Sequence, residues 1–177
     1  MQTLNKKEFD ALVAKLKKEK SALTLILKDT YFQQILRGEK KQEYREIKPS
    51  TEQKYIKFEY TEKLDENNRP VVKNGKVVKD WYPIVDENNN TVPIEYKYII
   101  FYVGYNTDRA AMVVEVKNAF TEVIYTEALD ENGNVLQDES GETLYEPAYY
   151  LLPNGEKYYV EQITYDLGQV IAYKPKG

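Results

Sequence analysis

From about Tyr55 onward, short apolar and aromatic runs alternate with turn signals, and this pattern constrains the fold more than any other feature of the sequence. Asn74-Gly75 lies between two pairs of valines, which is a strong signal for a two-residue β-hairpin. Pro153-Asn154-Gly155 precedes a long strand-like run at residues 157–165. Short runs bounded by turns are typical of strands, so the pattern predicts a fold that is mostly β.

The first part of the chain predicts two helices instead. Within residues 1–20, Asn5 and Glu8 have the spacing of a capping box, and apolar residues follow at helical intervals, which predicts an N-terminal amphipathic helix. A second, short helix is predicted to begin at Thr30 and to end at Gly38, because glycine adopts the left-handed conformation that closes many helices. The fold class expected is therefore α+β, mostly β.

Histidine and cysteine are both absent from the 177 residues. This excludes disulfides, catalysis by Ser-His-Asp or Cys-His groups, and the usual imidazole and thiolate ligands of zinc. Acid–base chemistry would have to use Lys, Asp, Glu or Tyr, and we predict neither a metal nor a cofactor. No signal peptide and no apolar run of roughly 20 residues is visible, so we expect a cytoplasmic protein that does not contact a membrane.

Charge is distributed unevenly along the chain. Residues 1–57 contain 14 basic and 8 acidic residues, whereas the remaining 120 residues contain 11 and 21. The net charge is thus +6 in the first part and −10 in the second. A basic surface on an acidic protein can attract phosphate locally, although a solvated lysine-rich helix would produce the same count.

An internal echo predicts two inserted β-hairpin arms. Residues 60–67 resemble residues 125–132, and a third Asp-Glu-Asn occurs at 86–88. We interpret these as Asx-rich turns of two arms, residues 59–95 and 126–157. Asp and Asn also supply oxygen ligands to calcium, but the EF-hand spacing is absent and turn chemistry accounts for these residues.

Gly38 is followed by a predicted strand, residues 42–47, with charged residues at alternating positions. Because side chains of a strand alternate between its faces, Glu43 and Arg45 share one face, while Lys40 lies at the start of the strand. This arrangement predicts an ammonium, a carboxylate and a guanidinium close together. Arginine offers a planar fork of donors that suits phosphate or a base edge. The alternative is an exposed strand with charge pairs along it.

The spacing Gly38-x-Lys40-x-x-Glu43-x-Arg45 resembles the G-x-K-x-x-E-x-R signature of the ASCH family, a branch of the PUA-like superfamily. The flanking pattern agrees along three stretches, residues 22–58, 96–125 and 157–172. The resemblance implies a single domain, residues 1–177, with a PUA-like β-barrel and one or two flanking helices. The N-terminal helix and the two hairpin arms are additions to that barrel.

The resemblance also implies a function, because most ASCH domains are thought to bind RNA or nucleotide-like ligands in a cleft lined by this motif. Basic side chains would meet phosphates or base edges, and tyrosine rings could stack on bases, although tyrosines in strands also serve packing alone. The ligand-binding residues expected on this basis are Lys28, Tyr31, Gly38, Lys40, Glu43, Tyr44 and Arg45.

Two alternatives remain open at this stage. A bacterial branch of the family hydrolyses the amide of acetylated cytidine with a lysine base and a threonine. Here Lys40 matches, but Glu43 stands where that threonine would be, so Lys40 and Glu43 are the hypothetical catalytic pair and Glu115 is a candidate second acid. The other alternative is an interaction module whose hairpin arms bind a protein partner or form a homodimer.

Overall fold

The computed structural model describes every residue from Met1 to Gly177, and the chain divides into two compact units. Unit 1 comprises residues 1–45, 95–120 and 163–177, and unit 2 comprises residues 46–94 and 121–162. The elements in chain order are β1 (Gln2–Thr3), α1 (Lys6–Lys18), β2 (Ala22–Leu27), α2 (Asp29–Leu36), β3 (Gln42–Ile47), a 3₁₀ turn (Glu52–Lys54), β4 (Phe58–Glu62), β5 (Val72–Lys73), β6 (Lys76–Val77), β7 (Lys79–Pro83), β8 (Tyr98–Val103), β9 (Ala111–Val123), β10 (Tyr125–Glu127), β11 (Tyr145–Pro147), β12 (Tyr149–Leu151), β13 (Lys157–Tyr159) and β14 (Glu161–Lys174).

Unit 1 contains a six-stranded sheet with the order β1-β14-β9-β8-β2, in which β3 also pairs with β14. β2 runs parallel to β8, and β8 runs antiparallel to β9. Alternate residues of β2 are buried, and the middle of β8 is buried at three consecutive positions. Backbone pairing leaves this sheet open rather than closed on itself. The predicted α+β, mostly β class is confirmed.

Helix α1 has the predicted capping box. The Asn5 side chain accepts from the Glu8 N–H and the Glu8 carboxylate accepts from the Asn5 N–H, both at 3.0 Å. Its apolar side packs into a core cluster through Phe9, Val13 and Leu16, while its lysines remain exposed. Neither α-helix has the length and apolar composition needed to span a bilayer.

Helix α2 ends as the sequence predicts, at a glycine with positive φ. Gly38 has φ +74°, and its N–H donates to the Ile35 carbonyl at 2.9 Å. The next N–H, of Glu39, donates to the Gln34 carbonyl at 2.8 Å. These two bonds define a Schellman motif, which reverses the chain sharply. The turn therefore places Lys40 just before the first residue of β3.

Unit 2 consists of β-hairpins that branch at three-way backbone junctions. At one junction the Lys63 N–H donates to Val78, the Val78 N–H to Val71 and the Val71 N–H back to Lys63, at 2.8–2.9 Å. Three segments thereby satisfy one another's backbone groups in a ring, with no fourth strand. The same ring occurs at residues 57, 84 and 92, at residues 124, 148 and 160, and at residues 128, 136 and 144.

Four hairpins of unit 2 close with the same Asx turn, at Asp65, Asp86, Asp130 and Asp138. In each, the aspartate Oδ1 accepts from the N–H groups two and four residues later, at 2.8–3.0 Å. At Asp130 such bonds lower the pKa, and the bond from the Asn134 backbone is the largest cause. Turn chemistry therefore employs the acidic residues that the sequence echo singles out.

Candidate functional site

The three charged groups of the sequence motif converge on one buried carboxylate. Glu43 is only 4% exposed. Its Oε2 lies 2.5 Å from Lys40 Nζ and its Oε1 lies 2.7 Å from Arg45 Nη2. The alternation of β3 turns Glu43 and Arg45 inward, and the turn after Gly38 supplies Lys40. A buried carboxylate requires such partners, because an unpaired charge would lose its hydration.

Arg45 also connects β3 to β2. Its Nη2 donates to the Ile26 carbonyl at 3.0 Å, so one guanidinium nitrogen serves both the carboxylate and a backbone oxygen. The Nε atom is buried without a hydrogen-bond partner. β2 and β3 have no backbone ladder between them, and this side chain bridges the gap.

The Lys40 ammonium lies at the centre of the site. Besides Glu43 it donates to the Gln42 carbonyl at 2.6 Å. Its Nζ is also 5.7 Å and 5.6 Å from the ring centroids of Tyr31 and Tyr44, within the range of cation–π attraction. An ammonium has three N–H donors and two of them are used, which leaves one for a ligand.

A polar chain fixes the Tyr44 ring on the other face of β3. The Tyr44 hydroxyl donates to the Gln42 side-chain oxygen, and the Gln42 Nε2 donates to Asp166 Oδ1 at 2.7 Å. Asn118 Nδ2 donates to the second oxygen of Asp166 at 3.4 Å. Sequence reasoning missed Gln42, Asp166 and Asn118. Strand alternation places Gln42 on the same face as Tyr44, but it gives Gln42 no role, and nothing local indicates Asp166.

A depression of about 410 Å³ opens beside this polar chain. Its lining comes from the start of β3, from β9 and from β14, and comprises Lys40, Lys41, Gln42, Tyr44, Lys117, Asp166 and Leu167. The lining thus contains three lysines and one aspartate, and the carboxylate of Asp166 accepts from Gln42. Such a lining has an excess of positive charge and one half-exposed aromatic ring. Glu43 and Arg45 are not part of it.

No protein-family model, curated protein or solved structure matches this chain. The chemistry of the depression must therefore be derived from its own residues. Cations and an aromatic face are complementary to an anion that carries a ring. No group of His, Cys, Asp and Glu side chains has the arrangement needed to hold a metal ion.

The remaining predicted residues lie around this centre without all joining it. Gly38 shapes the turn, and Tyr31 borders Lys40. Lys28 is exposed at the N-cap of α2, and its side chain makes no contact with the charged cluster. Glu115, the candidate second acid, accepts from the Gln169 N–H of β14 at 3.2 Å. It therefore binds backbone and forms no hydrogen bond or ion pair with the Lys40–Glu43 pair.

Gly168 provides the space for Glu115 in this sheet. A Cβ at position 168 would lie 2.8 Å from the Glu115 Cβ, closer than real Cβ contacts allow. We expect Gly168→Ala to lower the free energy of unfolding by about 1–3 kcal/mol, measured by urea denaturation. The double variant Gly168→Ala/Glu115→Gly should lose less than the sum of the two single changes. Strict additivity would show that the contact is not the cause.

Proposed function

We propose that unit 1 is an ASCH-like domain that binds RNA or a nucleotide-like ligand in the depression beside β3. The observation that carries this proposal is the lining itself, in which Lys40, Lys41 and Lys117 share the depression with the exposed ring of Tyr44. Phosphate oxygens would pair with the ammonium groups, and a base would stack on the ring. The third N–H donor of Lys40 would bind the phosphate, which carries most of the ligand's negative charge.

Family membership is part of the proposal, and two features of the chain support it. The order of strand β2, helix α2, a left-handed glycine and strand β3 follows the motif that the resemblance requires. The sheet path from β3 through β14, β9 and β8 to β2 has its ends joined by Arg45 and the Ile26 carbonyl. A side-chain bridge of this kind suits a PUA-like barrel with a seam.

Glu43 and Arg45 would then position Lys40 rather than touch the ligand. Glu43 fixes the ammonium by a bond of 2.5 Å, and Arg45 holds the other carboxylate oxygen. Ordering a lysine in advance reduces the side-chain entropy that binding must otherwise remove. The buried pair of Glu43 and Arg45 therefore holds Lys40 in place at the depression without lining it.

Salt dependence tests the phosphate contacts. We expect a short single-stranded RNA to bind the protein at low salt, with an affinity that falls as salt rises. The double variant Lys41→Ala/Lys117→Ala should reduce the slope of log K against log salt by roughly 0.7 per lost contact, measured by fluorescence anisotropy. Lys18→Ala, an exposed lysine of α1, is the matched control and should change the slope far less. Absence of binding at low salt would remove the proposal.

Hydrolysis of an acetylated cytidine-type amide is the second candidate, because Lys40 and Glu43 form the pair that such chemistry would use. We place it second because Glu43 stands where that branch of the family has a threonine, and Lys40 is ion-paired to Glu43. The test is to incubate the unmodified protein and Lys40→Ala separately with acetylated cytidine and to compare their rates of amide hydrolysis. Equal rates for the two would exclude this candidate.

A further inference from the structure

The hairpin of β12 and β13 is anchored in unit 2 by one of its two faces. Tyr150 and Tyr158 are cross-strand neighbours on that face. The Tyr150 hydroxyl donates to the Glu46 carboxylate, and the Tyr158 hydroxyl donates to Glu52 at 2.9 Å. Burial is the main cause that raises the pKa of Tyr158, so it remains a neutral donor. Both hydroxyls on this face therefore have carboxylate partners, and Tyr158 is half-buried.

The opposite face of the same hairpin is exposed. By strand alternation it presents Tyr149, Leu151 and Tyr159, which are 39%, 69% and 54% exposed. The two tyrosine rings lie edge to face, with centroids 6.4 Å apart. We call these three residues the hairpin face. Aromatic and aliphatic side chains that are held rigidly but left uncovered are typical of a protein contact surface.

The charge of the segment that contains the hairpin indicates what would cover this face. Residues 121–162 contain ten acidic residues and a single basic one, Lys157. That lysine is the cross-strand neighbour of Leu151, and its Nζ lies 4.2 Å from the ring centroid of Tyr149. The contact of Lys157 thus shows that an ammonium group can lie against the ring of Tyr149. A negative field and exposed tyrosines are complementary to a cationic partner.

We propose that the hairpin face binds a lysine- or arginine-rich segment of another protein, with one apolar side chain of that segment packed against Leu151 and Tyr159. Acidic residues of 121–162 attract the segment, and the rings of the hairpin face bind its cations. The interaction is separate from the nucleotide site, because it uses residues of unit 2 alone. Failure of one proposal leaves the other intact.

Fluorescein-labelled heptapeptides with four lysines, two serines and one central residue test this interaction. We expect the peptide with central leucine to bind, and its affinity to fall when serine replaces that leucine or when salt rises. A peptide with glutamates in place of the lysines should not bind. The double variant Leu151→Ser/Tyr159→Ser should weaken binding about tenfold. Tyr125→Ala is the matched control, since it removes an equally exposed ring of the same acidic segment and should change affinity less than twofold.

Three results would overturn the proposal. The lysine–leucine peptide could fail to bind at low salt, or Tyr125→Ala could weaken binding as much as the hairpin-face variant, which would show that binding is not confined to the hairpin face. Gel filtration with light scattering provides the third. A dimer of the unmodified protein that Leu151→Ser/Tyr159→Ser converts to a monomer would make a second copy the occupant. A circular dichroism spectrum unchanged in each variant shows that the protein as a whole still folds.

Discussion

Replacing Glu43 with alanine is expected to lower the free energy of unfolding by about 3 kcal/mol. The substitution leaves the Lys40 ammonium and the Arg45 guanidinium facing each other without the carboxylate that both contact. Removing one partner of a buried ion pair costs about 3–5 kcal/mol, and we expect the lower end because both cations still reach water, with 19% and 28% of their side chains exposed. Urea denaturation followed by circular dichroism measures the loss.

Glu39→Ala is the matched control for this measurement. Glu39 also forms an ion pair, with Arg37 at 2.7 Å, but both side chains are more than half exposed. Water screens such a pair, so its removal should not change stability measurably. If Glu43→Ala were as mild as Glu39→Ala, the cluster would not be a buried structural unit, and the positioning role of Glu43 would have no basis.

Replacing Tyr44 with alanine should weaken binding of single-stranded RNA by roughly 5- to 150-fold, because stacking of one base on an aromatic ring contributes about 1–3 kcal/mol. Tyr44 is 47% exposed, so its loss should hardly change the free energy of unfolding. Fluorescence anisotropy with a labelled oligonucleotide measures the affinity. The effect on binding without an effect on folding is what distinguishes this residue from Glu43.

Two controls accompany this variant: one separates the effect of the ring from that of its hydroxyl, and the other tests where the base binds. Tyr44→Phe retains the stacking face but loses the bond to Gln42, so its affinity should lie between those of the unmodified protein and Tyr44→Ala. Tyr60→Ala removes a ring of similar exposure from β4 of unit 2 and should leave RNA affinity unchanged. A loss of affinity in Tyr60→Ala equal to that in Tyr44→Ala would contradict the assignment of the base to the depression.

Features that depend on neighbours along the chain could be predicted from the sequence. The capping box of Asn5 and Glu8 and the left-handed turn at Gly38 involve groups within a few residues of each other, so their geometry follows from local preference. The same holds for Glu43 and Arg45, which alternation places on one face of β3. Their meeting with Lys40 follows from the turn that precedes the strand.

The rest of the site depends on long-range pairing. Asp166 contacts Gln42 across 124 positions, because β3 pairs with β14. A single sequence contains no signal for which strands pair, so the wall of the depression formed by Lys117 and Asp166 could not be anticipated. Alternation along the predicted strand already placed Glu43 and Tyr44 on opposite faces, but it did not show which other strands would lie beside Tyr44.

In unit 2 as well, local features could be predicted from the sequence and long-range features could not. The repeated Asp-Glu-Asn indicated turns, and Asx turns are present at all three positions, whereas the fourth turn at Asp138 was missed because Ser140 replaces the asparagine. The three-way junctions could not be predicted, because each is formed by backbone groups of three separate segments. Backbone hydrogen bonds have no side-chain signature, so a branch point looks like any other strand end in the sequence.

Titration of the isotope-labelled protein with a short single-stranded RNA, followed by amide chemical shifts, tests the nucleotide site most directly. We predict that the largest shift changes occur at Lys41, Tyr44, Lys117 and Leu167, which line the depression. Shift changes confined to the lysines of α1, or none at low salt, would contradict the proposal that this depression is where the ligand binds.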